Sequence, residues 1–142
     1  MSGYFDETLL HVAAREGELE VVRLLLAKGA NTSHTGRTGV TPIAYAIDEG
    51  QVAVVDLLLQ HDVDIDSVCA GSDRTPLLYA ASEGQVEVVQ FLLKKGADVN
   101  STNMDGMTPY DLAVAGGNTA LAKLLVMKGG LSGSFLLPPE AS

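Results

Sequence analysis

Cationic side chains are scarce in this chain. Nine Lys and Arg stand against eighteen Asp and Glu, for a formal net charge of −9 and a pI near 4.5. Nucleic acids and anionic membranes are held through clustered Lys and Arg, so this balance argues against both. A protein partner with a basic or neutral surface is the expectation. Tryptophan is absent and aromatics make up 5% of the chain, yet 46% of it is hydrophobic. A core must therefore come from Ala, Val and Leu, which suits thin helices. Cys69 is the only cysteine, which excludes an internal disulfide and is compatible with a reducing, cytoplasmic setting. No apolar run approaches the roughly 18 residues that cross a bilayer. Residues 1–7 carry neither the basic nor the apolar stretch of a secretory signal.

Catalytic constellations are lacking too. His11, His34 and His61 fall at different positions of the repeat described below, so stacking is not expected to bring them together. Nothing around Cys69 resembles the setting of a nucleophile. Gly116-Gly117 and Gly129-Gly130 lack the strand and lysine of a phosphate loop. Asp62, Asp64 and Asp66 alternate, but no glycine or closing glutamate follows at the spacing of a calcium loop. The expectation is no enzyme, no cofactor and no metal.

What the chain does have is periodicity. Thr8, Thr41, Thr75 and Thr108 are separated by 33, 34 and 33 residues, and Ala13, Ala46, Ala80, Ala113 and Gly17, Gly50, Gly84, Gly117 keep the same register. The third copy is clearest. Thr75-Pro76 reads as a helix start, the hydroxyl taking an orphan N–H and proline filling the first turn. Gly84 ends that helix with a left-handed residue. Val86, Val89, Leu92 and Leu93 then recur at helical spacing up to Gly96. Such a hairpin has too little core to stand alone, and its copies must stack.

Thr-Pro-Leu-Leu-Tyr-Ala-Ala from Thr75 and Gly-Ala-Asp-Val-Asn from Gly96 resemble the ankyrin repeat. The resemblance implies an all-α solenoid of helix–turn–helix repeats with short hairpin-like fingers. It divides residues 1–133 at about 4–35, 36–68, 69–102 and 103–133, and leaves a tail, 134–142, either folded back or disordered. His11 occupies the position at which the resemblance implies a structural bond to the nearby threonine. Asp62 replaces the closing glycine of the second copy and is expected to adopt the left-handed cap in its stead. One extra residue lies within 66–73. Glu18, Glu20, Arg23 and Lys28 should make the first end polar. Ala122 and Gly130-Leu131-Ser132-Gly133 should reduce onward docking at the other. Closed polar ends favour a monomer.

A binding surface follows from helical spacing. Residues three and four apart share a face, which groups Val12 with Arg15 and Glu16, Tyr45 with Asp48 and Glu49, Tyr79 with Ser82 and Glu83, and Leu112 with Ala115 and Gly116. The acids lie at helix C-termini, where the dipole disfavours them, so they are not expected to stabilise those helices. Tyr45 and Tyr79 are the candidate anchors. The resemblance implies protein recognition by an adaptor or stoichiometric inhibitor, through this groove and the finger tips. Here the tips are Arg37, Thr38 and Val40, then Ser72 and Arg74, then Met104, Asp105 and Met107. It also implies, as an alternative role, a substrate for asparagine hydroxylation at Asn100.

Overall fold

The computed structural model describes residues 8–35, 39–71 and 74–136, without the side chains of the last two. Helices alternate in short pairs: α1 (Leu9–Glu16) with α2 (Leu19–Ala27), α3 (Pro42–Asp48) with α4 (Val52–His61), α5 (Pro76–Glu83) with α6 (Val86–Lys94), and α7 (Pro109–Ala115) with α8 (Thr119–Met127). A single turn, α9 (Gly133–Leu136), follows. At seven to ten residues, none of the paired helices is long enough to be stable alone. Burial holds them instead. The first helices stack as one row, α1–α3–α5–α7, and the second helices form a looser row behind it.

The core runs unbroken through these layers. Val22, Val55 and Val89 recur at one position and are fully buried, as are Ile47, Leu58, Leu92 and Leu125. Alanines at 13, 46, 80 and 113 are buried as expected and let the first helices approach closely. Gly17 and Gly84 close α1 and α5 with φ of 73° and 71°.

Two expectations about helix ends are corrected. Thr8 and Thr108 do cap their helices, but Thr41 and Thr75 make no side-chain cap bond. The difference lies three residues on. His11 and Asp111 accept from the threonine N–H and complete a reciprocal box, which Ala44 and Leu78 cannot. The Thr41 hydroxyl donates instead to Cys69 O. Asp62 is not left-handed either: its φ is −149°. Its Oδ1 accepts a 2.8 Å bond from buried Thr32, which ties two loops together.

The fingers are narrow. Cys69 N–H donates to Arg74 O at 2.8 Å and Asn103 N–H to Met107 O at 3.0 Å, so the extra residue lies between Cys69 and Arg74. The loop after α8 turns back over α7, where Thr108 Oγ1 donates to Leu131 O and Gly133 N–H to Asp111 Oδ2. Glu18, Glu20, Arg23 and Lys28 are exposed at the first end as expected, but apolar side chains are exposed at both ends beside the polar ones. Leu9, Val21 and Leu24 are exposed at one end and Val114, Val126 and Met127 at the other. Their counterparts in the other pairs are mostly covered by a neighbouring pair, and among the described residues none stands here.

Partial burial alone would raise the Asp111 carboxyl, but N–H donors from Gly133 and Thr108 outweigh it and hold its pKa below the ordinary value of 3.8. A depressed folded pKa contributes stability that is full above about pH 4 and is lost as pH falls through the lower folded value. Asp111→Asn should therefore cost about 0.5–1.5 kcal/mol at neutral pH. It should also flatten the acid limb of a stability–pH curve measured by urea unfolding.

Candidate protein-binding surface

Stacking of the first helices sets their C-terminal ends side by side. Each of the first three ends in acid: Glu16 on α1, Asp48 and Glu49 at α3, Glu83 on α5, all exposed. Glu16 pairs within its own helix with Arg15, whereas Asp48 connects across layers. The Tyr79 hydroxyl of α5 donates to Asp48 Oδ1 of α3 at 2.7 Å. Arg74 places its guanidinium carbon 5.3 Å from the centre of the Tyr79 ring. It also donates to Gly71 O at 2.9 Å and to Ser82 Oγ at 3.4 Å. Ser82 Oγ donates in turn to Tyr79 O. Asp48, Arg74, Tyr79 and Ser82, all expected at the surface from sequence, thus form one connected cluster.

That cluster corrects one expectation and adds a role for Asp48. Tyr79 is only 8% exposed, so its ring is wedged between layers and does not project as an anchor. Asp48, not expected to stabilise its own helix, braces α3 to α5 through its bond to Tyr79. Burial first, then the Asp48 bond and the negative charges of Asp48 and Glu83, push the Tyr79 pKa well above the usual phenol value. Arg74 opposes them only in part.

Tyr45 keeps a half-exposed ring. The Arg15 guanidinium carbon lies 5.7 Å from its centre, and Arg15 Nε donates to Glu16 Oε2 at 3.4 Å. Its other side meets His11 edge-on at 4.9 Å between ring centres. The His34 ring lies 5.9 Å from that of His11, so these two histidines do come together. Repeat register missed this because His34 sits in the connecting loop, whose path returns beside α1. His11 Nε2 is 2.9 Å from Val40 O. A carbonyl only accepts, so Nε2 carries the proton and Nδ1 accepts from Thr8, 2.8 Å from its hydroxyl.

At the fingers, Met104 is 69% exposed, Asp105 is exposed and Met107 half-buried. Both Asp105 N–H and Met107 N–H donate to Asn103 Oδ1. Val40 is half-buried. Arg37, Thr38 and Ser72 lie outside the described residues. Asn100 has its amide engaged at both ends: Oδ1 accepts from Leu131 N–H at 2.8 Å and Nδ2 donates to Gly129 O at 3.2 Å. It tethers the last two loops. Sequence reasoning overlooked Gln51 and Gln85, which reach back to donate to Arg15 O and Asp48 O. The available signal was an amide recurring just before the second helix.

Asp48→Ala and Tyr79→Phe should each destabilise the protein, and in a double-mutant cycle the pair should couple by about 0.5–1.5 kcal/mol. Additive losses would show that the bond contributes nothing. Burial pushes the Cys69 thiol up to about 12, and the opposing charge of Arg74 does not offset it. A thiol reagent at mildly alkaline pH should leave native protein unmodified and label it fully in urea; rapid native labelling would contradict the burial.

The Ankyrin repeats (3 copies) family model matches residues 2–69 and 66–132. Ankyrin repeat and KH domain-containing protein 1 of Homo sapiens is 45% identical over 67 residues, covering 47% of this chain and 3% of that protein. Ankyrin repeat and KH domain-containing protein mask of Drosophila melanogaster is 38% identical over 67 residues, 47% of this chain and 2% of the relative. The mask-1 protein of Caenorhabditis elegans, of the same description, is 42% identical over 57 residues, 40% and 2% of the respective chains. The chain thus spans only a few hundredths of these relatives' length. Among the described residues no helix is long and apolar enough to cross a membrane. With paired helices stacked in register and the model matching nearly end to end, the chain belongs to the ankyrin-repeat family, a fold of protein–protein interaction that is generally not enzymatic.

Proposed function

We propose that this chain is an adaptor or stoichiometric inhibitor that holds a basic or neutral partner protein in the concave groove beside α1, α3 and α5 and against the finger tips. The observation that supports this reading is the line of exposed carboxylates at Glu16, Asp48, Glu49 and Glu83, set around two tyrosines. Each sits at a helix C-terminus, an unfavourable place worth about 0.3–1 kcal/mol. Asp48 recovers that cost through Tyr79. Glu49 and Glu83 form no ion pair among the described residues, so their charge is available to a partner's Lys or Arg. Met104, exposed on its finger, adds adaptable apolar contact. The half-exposed Tyr45 ring is the better aromatic contact, since Tyr79 is committed to the fold. Such recognition weakens with salt.

Charge reversal tests it without touching the core. Proteins crosslinked to the wild type in source lysate should be lost, by about tenfold or more, from a Glu49→Lys/Glu83→Lys variant. They should be retained by an Arg23→Glu/Lys28→Glu variant, altered on the second-helix side. Equal recovery by both variants would overturn the groove as the binding surface.

A further inference from the structure

The end of the array beyond α7 and α8 is an apolar groove of about 600 Å³, lined by Tyr110, Val114, Ala122, Val126 and Met127 with Lys123 at its side. The chain supplies its own controls for what belongs there. Ala14, Ile47 and Ala81 hold the Val114 position in the three preceding pairs and are 0–2% exposed, each with a pair following; Val114, with none, is 52% exposed. The cap glycines say the same. A methyl group built on Gly17 would lie 2.6 Å from Gln51, on Gly50 3.2 Å from Gln85, and on Gly84 3.0 Å from Asn118. Each glycine is a seat for the amide that opens the next pair's second helix, and Gln51 and Gln85 donate from it to Arg15 O and Asp48 O. At Gly117 none of the described residues fills that seat within 4 Å. The chain continues into α9, tied to Asp111 at the opposite end of α7, and none of the described residues covers the groove.

We propose that this groove is a docking site for an ankyrin-type helix pair carried by another polypeptide, one whose second helix is preceded by Gln or Asn and which sets an acidic side chain against Lys123. The surface continues the three junctions inside the molecule, of which the first two supply the amide bond and the second the acid–lysine contact. The amide donates to the Ala115 carbonyl as its counterparts do to Arg15 and Asp48. The acid follows from the second junction, where Asp56, in the place of Lys123, lies 4.0 Å from Lys95 of the next pair. A second copy of this chain fails both terms. Its own leading face is apolar, with Val21 36% exposed where Val54, Val88 and Leu121 are buried. Yet it would bring the Glu18 carboxylate, which cannot donate, to Gly117, and Lys28 to Lys123.

Those two mismatches make the probe. A soluble Glu18→Gln/Lys28→Glu/Val114→Asp variant of the full chain has a corrected leading face and a blocked groove of its own. Passed over immobilised wild type, it should bind saturably at one to one. A variant with Val114→Asp alone should bind about tenfold more weakly or worse, and an immobilised Val114→Asp surface should bind neither. No binding by the triple variant while its helical circular dichroism is intact overturns the proposal. So does equal binding by the two soluble variants, or undiminished binding to the Val114→Asp surface. Binding that appears only once residues 137–142 are removed would overturn it in favour of this chain's own C-terminal segment as the occupant.

Discussion

Every layer of this protein depends on apolar contact with the next. A single pair such as α5–α6 buries too little to offset the entropy of ordering its residues. It becomes stable when Val88 is covered from one side and Ala81 from the other. The second helices carry valine and leucine toward their neighbours and the first helices carry alanine, so the two rows pack with different closeness. That asymmetry sets the first helices shoulder to shoulder and lines up their C-terminal ends.

Polar groups then fix the register that hydrophobic stacking leaves loose. His11 bonds Val40 O, the Thr41 N–H bonds Cys69 O, and Thr108 bonds Leu131 O. In each case a residue at or near a helix start grips the backbone of the segment that follows its own helix pair. Gln51 and Gln85 do the same at the other end of the first helices. The Asp48–Tyr79–Arg74 cluster belongs to this set as much as to the candidate surface. One group of side chains thus both aligns two layers and shapes the face they present, and rigidity and recognition are not separate features here.

The helix pairs, their caps at Gly17 and Gly84, the buried alanines and the family were all legible in the residues, because each follows from local propensity repeated in register. The acidic face was legible too, since residues three and four apart on one short helix must lie together. The depth of Tyr79 was not. Whether a ring projects or is wedged depends on how closely α3 approaches α5 and on Asp48 taking its hydroxyl, neither of which spacing along a single helix contains. The same limit hid the meeting of His11 with His34, which a loop brings about.

The ends of the array show the division most clearly. Sequence alone determined that four similar helix pairs recur in register, and it led to closed, polar ends being expected. Tertiary structure decided which faces of those pairs are closed. Val114 and Val21 are ordinary repeat residues in sequence, and they are exposed because no described pair stands opposite them. Burial is a property of what stands opposite a side chain, and that is written in no single stretch of the chain.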